Sequence, residues 1–172
     1  MAVQFLADGR IVTANRLADT VSVIAPDGSV AKVVVGQPSR RSPAEQGELL
    51  FFSRALVPHN IAAGERSIYA CSACHDDAHV DGRLHPAKRN RFYSMTKTVR
   101  GIGSTAPYLF LGEVPTLAAF SQNLVSTHAQ GAERGVGYDQ YSVRLPLWQG
   151  HRFGSQLLSP AQVRSAMTAY LQ

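Results

Sequence analysis

Cysteine is scarce in this chain. Cys71 and Cys74 are the only two in 172 residues. If one site takes both, no thiol is left for a disulfide, and cysteine usage then carries no independent information about compartment. Long apolar runs are missing as well, with nothing near the roughly 20 consecutive apolar residues of a membrane span. The first residues, Met1 to Asp8, offer neither a basic n-region nor an apolar stretch long enough for a secretory signal. We also find no acyl-transfer triad, phosphate-cradling glycine loop or paired carboxylates. These absences exclude the common hydrolase and nucleotide-binding chemistries. The apolar share is 45%, which permits a real core, and the length suits one ordinary domain plus an appendage.

Both cysteines fall in one pentapeptide, Cys71-Ser72-Ala73-Cys74-His75. Two thiols three residues apart, with a histidine directly after the second, form the C-x-x-C-H signature of covalent c-type haem attachment. The spacing follows from the chemistry. The thiols add to the two porphyrin vinyl groups as thioethers, and the next residue turns its imidazole onto the iron as proximal ligand. A C-x-x-C pair can also be half of a zinc site or a redox pair. Zinc could recruit His75, His79 or His85, but a second ligand pair at matching spacing is missing. A thioredoxin-like redox pair needs a βαβ context that this sequence lacks. The expected cofactor is therefore one covalent haem c held by Cys71, Cys74 and His75. Thioether attachment implies maturation outside the cytoplasm, so a periplasmic or otherwise extracytoplasmic location is expected. With no leader visible, the chain is expected to be a processed or truncated piece of a longer exported polypeptide.

The formal charge is +5, which two haem propionates would lower by two. Basic residues concentrate between Arg83 and Arg100. A nucleic-acid interface would want aromatics interleaved on a recognisable binding fold. Here the segment directly follows the haem motif, so propionate pairing and docking of an acidic redox partner explain the charge better. No nucleic-acid partner is expected.

Residues 1–36 read as β-structure, with short β-branched runs punctuated by Asp8-Gly9, Asn15 and Pro26-Asp27-Gly28. Residues 37–42 form a polar linker. Ser42-Pro43-Ala44-Glu45 supplies an N-cap, a proline at the first helical position and a capping-box glutamate. The helix it opens carries Leu49 to Phe52 and is expected to end near Leu56-Val57-Pro58. The haem motif is expected on a short helix starting near Ser67, followed by a polar loop from Asp76 to Tyr93. Pro115-Thr116-Leu117 opens another helix with Leu117, Phe120 and Leu124 on one face. Residues 131–158 read as Gly-rich and irregular. Ser159-Pro160 then caps a last helix whose stripe of Val163, Ala166, Met167, Tyr170 and Leu171 is core.

Val12-Thr13-Ala14-Asn15 and Asp19-Thr20-Val21-Ser22-Val23-Ile24 resemble the cadence of one blade of a YVTN-type β-propeller. A single blade cannot make a propeller, since repeats need neighbours to bury their faces. From residue 44 onward, about three quarters of the chain, the sequence resembles the C-terminal cytochrome domain of the diheme cytochrome c peroxidase and methylamine-utilisation superfamily. The resemblance is closest to single-haem versions that follow such propellers. It is carried by Gly47-Glu48-Leu49-Leu50-Phe51-Phe52, by Cys71 to His75 followed by Asp81-Gly82, and by Thr96-Lys97-Thr98-Val99-Arg100-Gly101. Thr105-Ala106-Pro107-Tyr108, then Gly112 and Pro115-Thr116-Leu117, continue it in order. The chain departs from the pattern at Phe110-Leu111, at His128-Ala129-Gln130-Gly131 and in the stretch 131–158, which looks like an insertion.

The resemblance implies a mainly α fold: a cytochrome c-like haem domain with long loops over 43–172, preceded by a short antiparallel β-meander over 1–36. It implies Arg100 as partner of a haem propionate, with Tyr108 and Phe110 packing the haem wall. For the second axial position the candidates are Met95, His79, His85, His128 and His151, with His128 expected, Met95 the alternative and an open or otherwise filled site the third reading. The expected function is electron transfer by the single haem, between a partner redox domain or propeller-bearing subunit and another redox protein. The alternative is a peroxidase-like haem enzyme acting with a second haem on a partner chain, so enzyme status leans towards no.

Overall fold

The computed structural model describes residues 2–15, 18–35, 41–56, 61–62, 65–66, 70–87, 92–109, 111–122, 142–149 and 152–172. It corrects the fold expectation. The chain is not mainly α but mixed α/β, and its described residues form a four-stranded antiparallel meander, two small hairpins, a longer strand pair and three α-helices. The extra β-structure lies where no 3.6-residue period exists. Within the stretch expected to be loop, β7 (Leu84–Ala87) pairs with β8 (Phe92–Met95). Within the stretch expected to be irregular, β9 (Val143–Gln149) pairs with β10 (Arg152–Leu158). Val143 and Leu145 are buried and Arg144 between them is exposed. That is the period-two alternation of a half-buried strand, which the surrounding glycines obscure.

The chain divides into two compact units, Met1–Arg40 with Pro146–Gln156, and Arg41–Leu145 with Leu157–Gln172. In the first, β1 (Ala2–Phe5), β2 (Ile11–Asn15), β3 (Thr20–Ile24) and β4 (Val30–Val34) pair in sequence order. Two of its turns use the same device. In Leu6-Ala7-Asp8-Gly9 and in Ala25-Pro26-Asp27-Gly28, the glycine N–H donates to the carbonyl three residues back, at 3.1 and 2.9 Å. Each glycine sits at φ +83°, where a side chain would be strained. Each aspartate accepts the N–H two residues on, from Arg10 and Ser29. Thr20 and Ser22 are buried, and the Asn15 amide bridges them by donating to Thr20 Oγ1 at 3.1 Å and Ser22 Oγ at 2.7 Å. This satisfies polar groups that would otherwise cost free energy to bury.

The second unit is organised by α1 (Pro43–Phe52) and α3 (Pro160–Leu171), the most extensively packed pair of elements outside the strand ladders. Both helices start with the capping box expected of them. Ser42 N–H donates to Glu45 Oε2 at 2.7 Å and Glu45 N–H to Ser42 Oγ at 3.3 Å. Ser159 and Gln162 repeat the arrangement at 2.9 and 3.3 Å, and such caps contribute about 1 kcal/mol each. Helix α1 stops at Phe52, earlier than expected, because Ser53 turns extended and its Oγ accepts the N–H of Ala55. The 61–62 and 65–66 segments form β5 and β6, a two-residue ladder. A short helix α2 covers 117–122, its buried Ser121 accepting a 3.0 Å bond from Thr168 Oγ1 of α3. Among the described residues no helix is long and apolar enough to cross a membrane.

At Gly47 the two main helices approach closely. A Cβ built there would lie 2.1 Å from the Ala166 carbonyl oxygen and 2.6 Å from Tyr170 Cβ. The first obstacle is backbone, so no rotamer change can relieve it. Overpacking of this kind costs about 1–3 kcal/mol or more, while alanine's helix advantage over glycine returns only about 1 kcal/mol. Gly47→Ala is therefore expected to destabilise the protein by ~2 kcal/mol in denaturant unfolding. An unchanged midpoint contradicts this packing.

Candidate functional site

The C-x-x-C-H pentapeptide lies on a tight 3-10 turn, Cys71–Ala73, rather than on the helix expected from Ser67. Residues 67–69 are outside the described residues. The turn is closed by Cys74 N–H and His75 N–H, both donating to the Cys71 carbonyl at 3.2 and 3.0 Å. This doubling brings two thiols and an imidazole into one turn. Both cysteines are free, Cys71 buried and Cys74 half-buried. Helix α1 supplies the wall beneath them. Phe51, at the end of its buried face, has its ring centroid 6.2 Å from that of His75 and 5.3 Å from that of Tyr170.

Immediately after His75 the backbone enters a costly conformation. Asp77 and Ala78 have φ of +49° and +63°, a region non-glycine residues avoid and in which each costs about 1 kcal/mol or more. Three bonds from 98–100 hold them there. Thr98 Oγ1 and Val99 N–H donate to the Ala78 carbonyl at 3.0 and 2.8 Å, and Arg100 Nε donates to the Asp77 carbonyl at 3.0 Å. Arg100 is exposed and thereby fastened beside the cysteine turn.

Electrostatics follows from burial. The Cys71 thiol is pushed up to about 11 by desolvation, and burial also raises Cys74, assisted by the neighbouring Asp81 charge. His75 is lowered below its ordinary 6.5, chiefly by burial, with the carbonyls of Lys97 and His79 opposing. Its Nδ1 is buried without a hydrogen-bond partner, the only such side-chain atom among the described residues. A neutral buried imidazole with unspent bonding capacity, one residue from a free thiol, is a donor set that fits an iron-bound haem.

Tyr108 is buried in the core, its ring 5.5 Å from Phe120 and its backbone bridged to Val114. Met95 is exposed at the end of β8. Phe110, His128 and His151 lie outside the described residues. One grouping that was not anticipated as a unit is Cys74 with Asp81 and His85. Its sequence signal was the D-x-x-x-H spacing after the motif, with Gly82 turning at φ +70° between them. Asp81 is held well below the carboxylate range, first by the Arg83 N–H and also by His85 and Thr96. Compared with known proteins, the chain matches no family model, no curated protein and no solved structure.

Because His75 and Asp81 both have lowered folded values, each stabilises above its unfolded value and loses that contribution as pH falls through the folded one. Stability of the haem-free chain is therefore expected to decline in two steps, the first below the ordinary histidine value of 6.5 and the second below the ordinary aspartate value of 3.8. Denaturant midpoints measured against pH test this, with His75→Gln expected to remove the first step. A flat profile from neutral pH to about pH 5 contradicts it.

Proposed function

We propose that this protein carries electrons through one haem covalently attached at Cys71 and Cys74, with His75 as proximal ligand. The observation that carries the proposal is the turn itself, which gathers two free thiols and a buried, under-bonded imidazole against Phe51. When bound, the haem supplies an iron that alternates between ferrous and ferric states, a one-electron change that needs no acid–base group from the protein. The chain's residues do the holding. The Cys71 and Cys74 sulfurs would tether the group in both oxidation states. His75, kept neutral by burial, offers a nitrogen lone pair at neutral pH. Phe51 excludes water from one side of that imidazole, which helps fix the local dielectric.

Arg100 suits a propionate contact. Its Nε is spent on the Asp77 carbonyl, which orients the guanidinium and leaves its terminal amino groups for a carboxylate. Arg83 and Arg100 are exposed, and with the basic residues around them they favour an acidic redox partner. His128 is the proposed sixth ligand and Met95 its alternative. An extracytoplasmic location follows from the attachment chemistry.

Two measurements test the proposal. Co-produced with a c-type maturation system, the full chain is expected to gain the mass of one haem, which survives acid–acetone extraction and is lost in Cys71→Ser/Cys74→Ser. A haem-free polypeptide under those conditions contradicts it. In the loaded protein, His128→Ala is expected to open the iron to cyanide while Met95→Ala does not. The reverse pattern assigns the ligand to Met95.

A further inference from the structure

Beside the haem-attachment atoms, a second set of donors converges. Cys74 Sγ, an Asp81 carboxylate oxygen and a His85 ring nitrogen all lie within 4.8 Å of one another, on side chains that are each half-buried. Local structure holds the set in place. One carboxylate oxygen of Asp81 accepts the Arg83 N–H at 3.0 Å, and the other is 2.7 Å from His85 Nε2. His85 is fixed opposite Ser94 in the β7–β8 ladder. Gly82, between Asp81 and His85, adopts the left-handed conformation at φ +70°.

The donor types select the ion. Sulfur, imidazole and carboxylate together suit a borderline-soft divalent cation, whereas calcium and magnesium prefer oxygen-only sites. Zinc bonds of about 2.0–2.3 Å in tetrahedral geometry place ligand atoms ~3.3–3.6 Å apart. Binding therefore draws in atoms that now lie within 4.8 Å of one another and opens the 2.7 Å Asp81–His85 hydrogen bond to admit the ion. Three protein ligands would leave the fourth position to water.

We propose that the haem-free chain binds one zinc-class divalent cation through Cys74, Asp81 and His85. Binding converts the Cys74 thiol to thiolate, its proton passing to solvent, and no oxidant or reductant takes part. The site is independent of the electron-transfer proposal, but the two compete for one atom. Once Cys74 Sγ is bonded to a haem vinyl carbon it is a thioether and no longer offers a thiolate. The ion and the attached haem are therefore mutually exclusive, and the ion would guard Cys74 until attachment.

The test uses the full chain made without haem-maturation machinery and confirmed haem-free by mass, with Co²⁺ as the probe. We expect one cobalt per chain, a sulfur-to-cobalt charge-transfer band in the near ultraviolet, and displacement of cobalt by Zn²⁺. Cys74→Ser should abolish the band, while Asp81→Asn and His85→Ala should each weaken affinity tenfold or more. Cys71→Ser should leave the spectrum unchanged. His85 is 41% exposed at its side chain, so its variant should keep the fold, which far-ultraviolet circular dichroism checks. No charge-transfer band, equal loss in Cys71→Ser, or full affinity in a folded His85→Ala each overturns the proposal. Because the chain is haem-free throughout, these outcomes are read separately from haem attachment.

Discussion

Everything in the second unit depends on how closely α1 approaches α3. At Gly47 the two backbones come so near that even a methyl group would meet a carbonyl, a distance only glycine permits. The approach orients the rest of α1. Leu49, Leu50 and Phe51 are carried into the core, and Phe51 meets both Tyr170 and His75. The chemistry-bearing turn is thus braced by a helix that contributes no ligand. Close backbone packing positions an aromatic wall beside His75, whose burial lowers it below its ordinary value.

A second constraint acts on the backbone just after the cysteine turn. The strained backbone at Asp77 and Ala78 persists because 98–100 fastens it with three hydrogen bonds. This gives Arg100 a definite structural task beyond its charge. It also explains why a stretch so far along the chain belongs to the cysteine turn. Val99 and Ala78 are brought together by hydrogen bonding across 21 residues, not by any local periodicity.

Legibility in the sequence followed the range of the forces. Capping boxes are local, so Ser42 with Glu45 and Ser159 with Gln162 announced both long helices at their first residue. The meander was equally readable, because Asp-Gly turns demand a particular backbone whatever surrounds them. The end of α1 was not, since it depends on a Ser53 side chain competing with the helix. The paired strands at 84–95 and 143–158 were hidden for another reason. A strand is stabilised by its partner, and short runs interrupted by proline or glycine carry little intrinsic signal. The mainly α expectation failed there. At the site, the spacing of the pentapeptide already placed two thiols and an imidazole close together along the chain, and the fold gathers them in one tight turn. The convergence of Asp81 and His85 on Cys74 required the fold.

Cys74 is thus the residue on which the two proposals meet, as one thiol of the C-x-x-C-H turn and as a member of the grouping with Asp81 and His85. The central claim is that this turn carries a redox-active haem, and the most direct measurement is a reduced-minus-oxidised visible spectrum of the purified, matured protein. The account predicts the sharp α and β bands of a low-spin c-type haem, changing reversibly with dithionite and ferricyanide. A featureless difference spectrum from folded, maturation-exposed protein would contradict it.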